Sequence, residues 1–325
     1  MSGHIVVTGA AGFIGSHLCE ALLSGGHQVI GIDNFDGFYE RSYKWHNLEQ
    51  LLKADSFQFL EGDAGDVSLL ESIQQPVDAV IHLAARAGVQ PSLKDPQGYI
   101  QANISVTNTL LEWMRRAGIN KLVFASSSSV YGNTLETPFQ EDQNTDAAYS
   151  PYAFTKKACE VMNYTYHALY GIDVINLRFF TVYGERQRPD LAIHKFVRLV
   201  YEGKPIRMYG DGSTARDYTY YADTIQGIIG ALKYVTSRSG IYEIINLGNS
   251  SPVQLKDLIA AIAKATGMEP HIIQEAEKPG DVTITYADIS RAQQLLNYHP
   301  QTDLETGISR FVSWYQKYHL LSKAI

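Results

Sequence analysis

Tyr152 and Lys156 stand four residues apart in the run Tyr152-Ala153-Phe154-Thr155-Lys156. Residues at that spacing share one face of a helix. An ammonium beside a phenol lowers the phenol pKa, and a second positive charge would lower it further. A free tyrosine, with a pKa near ~10, is a poor base at neutral pH. The pairing therefore has a chemical use, although 21 tyrosines make one such match unremarkable by itself. A second group of hydroxyls lies in Ser126-Ser127-Ser128-Ser129-Val130-Tyr131-Gly132. One of these can bond a reacting substrate oxygen; the plain alternative is a Ser-rich turn.

A third motif, Gly9-Ala10-Ala11-Gly12-Phe13-Ile14-Gly15, follows the apolar run Ile5–Thr8. Its glycines are spaced three and three. Gly9 permits a tight turn, Gly12 lets the backbone approach a pyrophosphate, and Gly15 lets the next helix pack closely. A glycine trio alone is weak. Placed between a strand and a helix, it reads as a dinucleotide site. Asp33 ends the second apolar run, 18 residues beyond Gly15. A carboxylate there accepts hydrogen bonds from an adenosine ribose and repels a 2′-phosphate, favouring NAD over NADP. With Asn34 following, a simple turn former is the bland alternative. Asp63 is a weaker candidate, for the adenine edge.

The elements that must position these groups alternate. Strands are predicted at 5–8, 28–33, 57–63, 78–84, 121–126 and 174–179. Helices are predicted at 13–24, 99–116 and 152–170. Alternation of this kind implies an α/β, Rossmann-type doubly wound parallel sheet covered on both faces. After about Phe180 turn-forming and basic residues dominate up to Asp217. A helix at 193–202, a strand at 242–247 and helices at 254–266 and 304–318 follow. The expected organisation is a cofactor domain of residues 1–180 with a return segment at about 217–250. Residues 181–216 and 251–325 form a smaller, interleaved substrate lobe.

The 325 residues are too many for one small domain, and 45% hydrophobic content excludes wholesale disorder. A net charge of −7 argues against a general binder of nucleic acid or anionic membrane. Two cysteines make no disulfide framework, which points to a reducing, cytoplasmic setting. No apolar run approaches membrane-spanning length, and no leader precedes the first strand. The segment 185–216 carries seven basic and four acidic residues, a local +3 that suits an anionic ligand. No residues are nominated for a metal.

Together the glycine motif, the Ser-Ser-Val-Tyr-Gly segment and the Tyr152/Lys156 pair resemble the extended short-chain dehydrogenase/reductase superfamily. The stretch Thr181-Val182-Tyr183-Gly184-Glu185-Arg186-Gln187-Arg188-Pro189-Asp190-Leu191-Ala192-Ile193-His194-Lys195-Phe196 is similar to UDP-glucuronate 4-epimerases in particular. The resemblance runs to Gly280-Asp281 and to Tyr286–Ser290. It implies a tightly held NAD, a UDP-sugar substrate and a homodimer formed through the helices at 99–116 and 152–170. It makes Tyr152 the base, Lys156 its partner and Ser127 the catalytic hydroxyl. Arg216 matches a diphosphate-binding arginine, Asp281 a uridine-ribose ligand and Arg188 an arginine near the sugar nucleotide. Further NAD contacts are implied at Phe13, Ile14, Asn34, Ala64, Leu83, Ala84 and Ala85, and substrate contacts at Lys195 and Tyr209. Three positions depart from the pattern: Glu185 replaces a usual proline, Cys159 a usual glycine, and Lys278 a frequent arginine.

The implied chemistry is C4 epimerisation through a transient 4-keto sugar. Tyr152 removes the 4-hydroxyl proton as hydride leaves C4, and both return after the keto sugar turns. A 4-keto glucuronate is a β-keto acid that can lose carbon dioxide. Ser128, Ser129 and Thr181 resemble the family's carboxylate-holding residues; loop capping is their bland alternative. Glucose-type epimerases carry asparagine at the Thr181 position. Related decarboxylases carry glutamate, and 4,6-dehydratases Asp-Glu, in the Ser-rich segment. Epimerisation of a neutral UDP-glucose or UDP-N-acetylglucosamine is the nearest alternative, followed by UDP-glucuronate decarboxylation. A non-catalytic redox sensor would have no need of a tuned base.

Overall fold

The computed structural model describes residues 3–276 and 282–320. Seven strands form the main sheet: β1 (His4–Thr8), β2 (Gln28–Asp33), β3 (Phe57–Glu61), β4 (Val77–His82), β5 (Lys121–Ser127), β6 (Asp173–Phe179) and β10 (Tyr242–Leu247). Their spatial order is β10-β6-β5-β4-β1-β2-β3, and every pairing is parallel. The order reverses between β1 and β4, which opens a crevice at the carboxyl ends of both strands.

Alternate residues of each strand supply opposite faces. Ile5, Val7, Ile81 and Val123 pack with Leu18 and Leu22 of helix Phe13–Ser24 and with Ile228 and Leu232 of helix Tyr221–Thr236. Val6, Val80, Leu122 and Val174 face Leu110 and Met114 of helix Val106–Ala117 and Cys159 of helix Pro151–Tyr170. Burying both faces explains why these strands read as continuous apolar runs. Gly118 and Gly171 end the last two helices in the left-handed conformation.

The smaller lobe has its own core around Ile193, Val197, Leu258 and Phe311. It contains a three-stranded sheet in the order β11-β9-β7 and a two-stranded β12-β8 pair. These strands are β7 (Thr181–Tyr183), β8 (Ile206–Tyr209), β9 (Ala215–Tyr220), β11 (Pro252–Gln254) and β12 (Ile272–Glu275). The chain leaves the main sheet after β6, builds β7 to β9, and returns for β10. The region read as turns between 184 and 217 therefore contains β8 and the start of β9. Both are short and carry basic residues, so they leave little apolar alternation to detect. The single helix expected at 99–116 is also subdivided. A turn at Pro96–Tyr99 leads into a π-helical turn at Ile100–Ser105, and regular helix resumes at Val106.

Candidate active site

The crevice continues into a cavity of about 640 Å³ between the main sheet and the smaller lobe. Its floor is the glycine turn. Gly9 has φ +75°, and a β-carbon at Gly15 would overlap the Gly9 carbonyl. Helix Phe13–Ser24 then begins with no side-chain cap and no acidic residue in its first turn. Its N-terminus is left as an anion-binding end facing the cavity. Phe13, Ile14 and Gly12 line the same wall, opposite Leu83, Ala84 and Ala85 beyond β4.

Asp33 is buried at the end of β2. Its Oδ1 accepts from Phe35 N at 2.8 Å and from Lys44 Nζ at 3.1 Å, and its Oδ2 from Ala11 N at 3.2 Å. Asp63 and Asn34 meet beside it, Asn34 Nδ2 donating to Asp63 Oδ2 at 2.7 Å. Both line the cavity, as does buried Ala64. A pocket with backbone donors for phosphates, a carboxylate at the β2 end and an apolar wall fits a dinucleotide such as NAD.

At the end of β5, Ser127 Oγ caps a short 3-10 turn by accepting from Ser129 N at 3.2 Å. Ser129 Oγ is buried and has no hydrogen-bond partner among the described residues. Ser128, Ser129 and Thr181, the first residue of β7, line the cavity with Ser127. Tyr152 enters from the first turn of its helix, which Ser150 caps at Ala153 N (3.1 Å). Burial raises the Tyr152 phenol, opposed by a hydrogen bond with Ser127 and by the charge of Arg188. Lys156 does not set that phenol here. Its Nζ donates to Ala125 O on β5 at 2.6 Å and lies 4.9 Å from the Phe124 ring centre.

Burial pushes Lys156 down to about 8, against the attraction of Cys159 and Glu160. Its folded value lies below its unfolded value, so the folded state binds fewer protons between about pH 8 and 10.5. Wild-type stability accordingly rises through that window, and the full desolvation cost applies below it. Lys156→Met should therefore be relatively more stable at pH 7. That advantage should shrink by about 3 kcal/mol between pH 8 and 10.5. Urea midpoints measured across pH check this; a difference independent of pH contradicts it.

Arg188 forms a two-point pair with Asp190 (3.0 and 2.9 Å) and lies 4.9 Å from the Phe38 ring centre. Arg188, Tyr209 and Arg216 line the substrate-lobe side of the cavity. Lys195 does not. Ile193, Phe196, Val197 and Val200 occupy the buried face of helix Ala192–Tyr201, which turns Lys195 to solvent. Of the seven basic residues in the +3 segment, only Arg188 and Arg216 reach the cavity. Three of the others pair outside the cavity: Arg186 with Glu20, Lys204 with Glu202, and Arg207 with Glu275. Cavity charge comes instead from five basic residues (Lys44, Arg86, Lys156, Arg188, Arg216) and three acidic ones (Asp33, Asp36, Asp63) among the described residues. Asp281 and Lys278 lie outside the described residues.

Three site features had not been singled out. Lys44 is one. Arg86 is another: it bonds Asp36 (2.9 Å) and Asp95 (2.9 Å), tying the loop after β4 to the loop after β2. Asn103 is the third. Its side chain accepts from Arg86 N, and its Nδ2 donates to Arg86 O and to Thr155 Oγ1. The π-helical turn holding Asn103 interrupts the regular helix where this clamp forms. An aromatic and basic run after Asp33 was a usable signal for Lys44. Nothing in Ala85-Arg86-Ala87 announced Arg86. The departures also acquire contacts. Cys159 Sγ donates to Asn103 O at 3.4 Å, and Glu185 accepts from Tyr220 Oη at 2.8 Å.

Residues 5–248 match the model of the NAD dependent epimerase/dehydratase family. A UDP-glucuronate 4-epimerase of Thermodesulfobacterium geofontis is 42% identical, covering 99% of each chain. UDP-glucuronate 4-epimerase 2 of Arabidopsis thaliana is 40% identical over 97% of this chain and 76% of the plant protein. The crystal structure of UDP-glucuronic acid 4-epimerase from Bacillus cereus, in complex with UDP-glucuronic acid and NAD, superposes with a TM-score of 0.91. It is 38% identical and covers 97% of this chain and 100% of that one. A family match over most of the chain, full-length relatives and a cavity built around the glycine turn agree: this chain belongs to the NAD-dependent epimerase/dehydratase family.

Proposed function

We propose that this chain interconverts UDP-glucuronate and UDP-galacturonate by inversion at sugar C4, with NAD as its cofactor and without loss of the carboxylate. The observation that carries the reading is one wall of short neutral hydroxyls. Ser127, Ser128, Ser129 and Thr181 line the same cavity as Tyr152. Bound in this cavity, NAD would supply a reversible hydride acceptor for C4. The glycine turn, Phe13, Ile14, Asp33, Asn34, Asp63, Ala64 and residues 83–85 are assigned to hold it.

Tyr152 is assigned to take the 4-hydroxyl proton and return it. Ser127 bonds the same oxygen and the Tyr152 phenol, so it connects the two. Lys156, fixed on Ala125 O, presents its charge beneath the site. Ser128, Ser129 and Thr181 hold the sugar carboxylate away from the geometry that favours decarboxylation, in which the breaking C–C bond stands perpendicular to the carbonyl plane. The unpartnered Ser129 Oγ supports this assignment. Arg188, Arg216 and Tyr209 take the anionic nucleotide end. Incubation with UDP-glucuronate followed by NMR tests the reading: UDP-galacturonate supports it, and a pentose product with carbon dioxide overturns it. Turnover of UDP-glucose or UDP-N-acetylglucosamine alone would place the chain with the neutral-sugar epimerases. Thr181→Ala should raise the ratio of decarboxylated to epimerised product. An unchanged ratio removes Thr181 from the carboxylate wall.

Residues 1–180 and about 217–250 are assigned to the cofactor unit, and 181–216 with 251–325 to the sugar-nucleotide unit. The return of β10 to the main sheet supports this division, except that Ala287, Ile289, Ala292, Leu296 and Tyr298 pack in the main-sheet core and so go with the cofactor unit. A cytoplasmic homodimer completes the reading. Phe154, Val161 and Tyr164 are about half exposed on one side of helix Pro151–Tyr170, and both cysteines are unpaired. Among the described residues no helix is long and apolar enough to cross a membrane. Light scattering at monomer mass would overturn the dimer.

A further inference from the structure

We infer that Lys44 is a latent 2′-phosphate partner, kept from that role by its ion pair with Asp33. The inference rests on the reading that NAD binds with its adenosine ribose at the end of β2. Lys44 belongs to helix Arg41–Leu48, which otherwise carries a mostly exposed, polar surface. A lysine in such a helix normally extends its ammonium into water. Lys44 instead is only 6% exposed, and its Nζ lies 3.1 Å from Asp33 Oδ1. It also lies 5.3 Å from the Tyr39 ring centre. Lys44, Tyr39 and Asp33 all line the cavity.

Simple repulsion by Asp33 is therefore an incomplete account of cofactor choice. The two charges cancel. Selectivity comes instead from hydrogen-bond chemistry. Asp33 Oδ1 already accepts from Phe35 N and Lys44, while among the described residues Oδ2 accepts only from Ala11 N. Oδ2 has capacity left for a donor. A ribose hydroxyl is a donor; a phosphate dianion is not. Meanwhile the Lys44 ammonium, the group that could compensate a phosphate, is occupied by the carboxylate. Arg41, the other cation on this helix that faces the β2 end, is taken by Glu61. Removing the Asp33 charge would leave a buried ammonium without its counter-ion. Such a charge is costly until another anion meets it, and a 2′-phosphate is an anion of the right kind.

Competition for the site tests this without any need for turnover. Purified protein is equilibrated with a fixed mixture of NAD and NADP and separated from free nucleotide. The bound nucleotides are then released by denaturation and quantified. Wild type should retain almost only NAD. Asp33→Asn, which keeps the acceptor for Phe35 N, should raise the bound NADP-to-NAD ratio at least tenfold. Asp33→Asn combined with Lys44→Met should lose most of that gain. Equal ratios in the single and double variants, or no gain in the single one, overturn the role of Lys44. Lys44→Met alone leaves the Asp33 charge uncompensated, so its ratio should be no higher than wild type. A higher ratio overturns the inference even if the Asp33 variants do not fold. A wild type that retains no dinucleotide at all would instead overturn the placement of NAD.

Discussion

Tyr152→Phe should lower turnover with UDP-glucuronate by about 10³-fold, within the range for loss of a general acid–base group. The variant keeps the ring and removes only the hydroxyl. The edge-on contact with Tyr99, centred 6.2 Å away, survives. So does the helix start, which depends on Ser150. Folding and bound NAD should therefore match wild type, and the loss should fall on turnover alone. NMR of the product over time, with nucleotide content measured after denaturation, checks both halves. Near-normal turnover would refute Tyr152 as the proton-handling group. Loss of bound NAD would show that the phenol is needed to hold the cofactor.

A second large effect is expected on the stability of the fold. Glu160→Leu should destabilise the fold by about 3–5 kcal/mol, because it strands a buried arginine. Arg178 and Glu160 are each 1% exposed and joined by two hydrogen bonds of 2.9 Å. Glu160 also accepts from Ser126 Oγ at 2.6 Å, and the Arg178 guanidinium lies 4.8 Å from the Tyr131 ring centre. This knot ties the helix of Tyr152 and Lys156 to β5 and β6, next to Ser127. Glu160→Leu with Arg178→Met should recover most of the lost stability, since paired apolar replacements remove both buried charges. Urea unfolding of the single and double variants measures it. A double variant no more stable than the single one would contradict the pairing.

Much of this site was legible in the chain. The Gly9–Gly15 turn, Asp33, the Ser127–Ser129 segment and the Tyr152/Lys156 pair are local motifs. Each depends on a few consecutive residues and on the strand or helix next to it. The structure brings all of them to one cavity. Local charge was less informative. The +3 segment suggested a basic pocket, but five of its seven cations do not line the cavity: packing of helix Ala192–Tyr201 turns Lys195 to solvent, and Arg186, Lys204 and Arg207 pair with acidic residues. Lys195 is the clearest case. Its neighbours in sequence are the apolar residues that fix the buried face, so its own direction follows from theirs.

Sequence by itself determined the α/β alternation, the nucleotide-binding turn, the tyrosine–lysine spacing and the family. These are properties of contiguous residues and of strand and helix periods. Only the tertiary structure decided which charges meet. Lys44 with Asp33, Arg86 with Asp36 and Asp95, and Glu160 with Arg178 are separated by 9 to 50 residues in the chain. No local signal marks these partners: a side chain's partner is set by where the sheet order places two loops, and the reversal between β1 and β4 is a global property. That reversal gathers the loops after β1, β2, β4 and β5 at one edge. The smaller lobe then closes the fourth side with Thr181, Arg188 and Arg216, turning separate motifs into one chemical site.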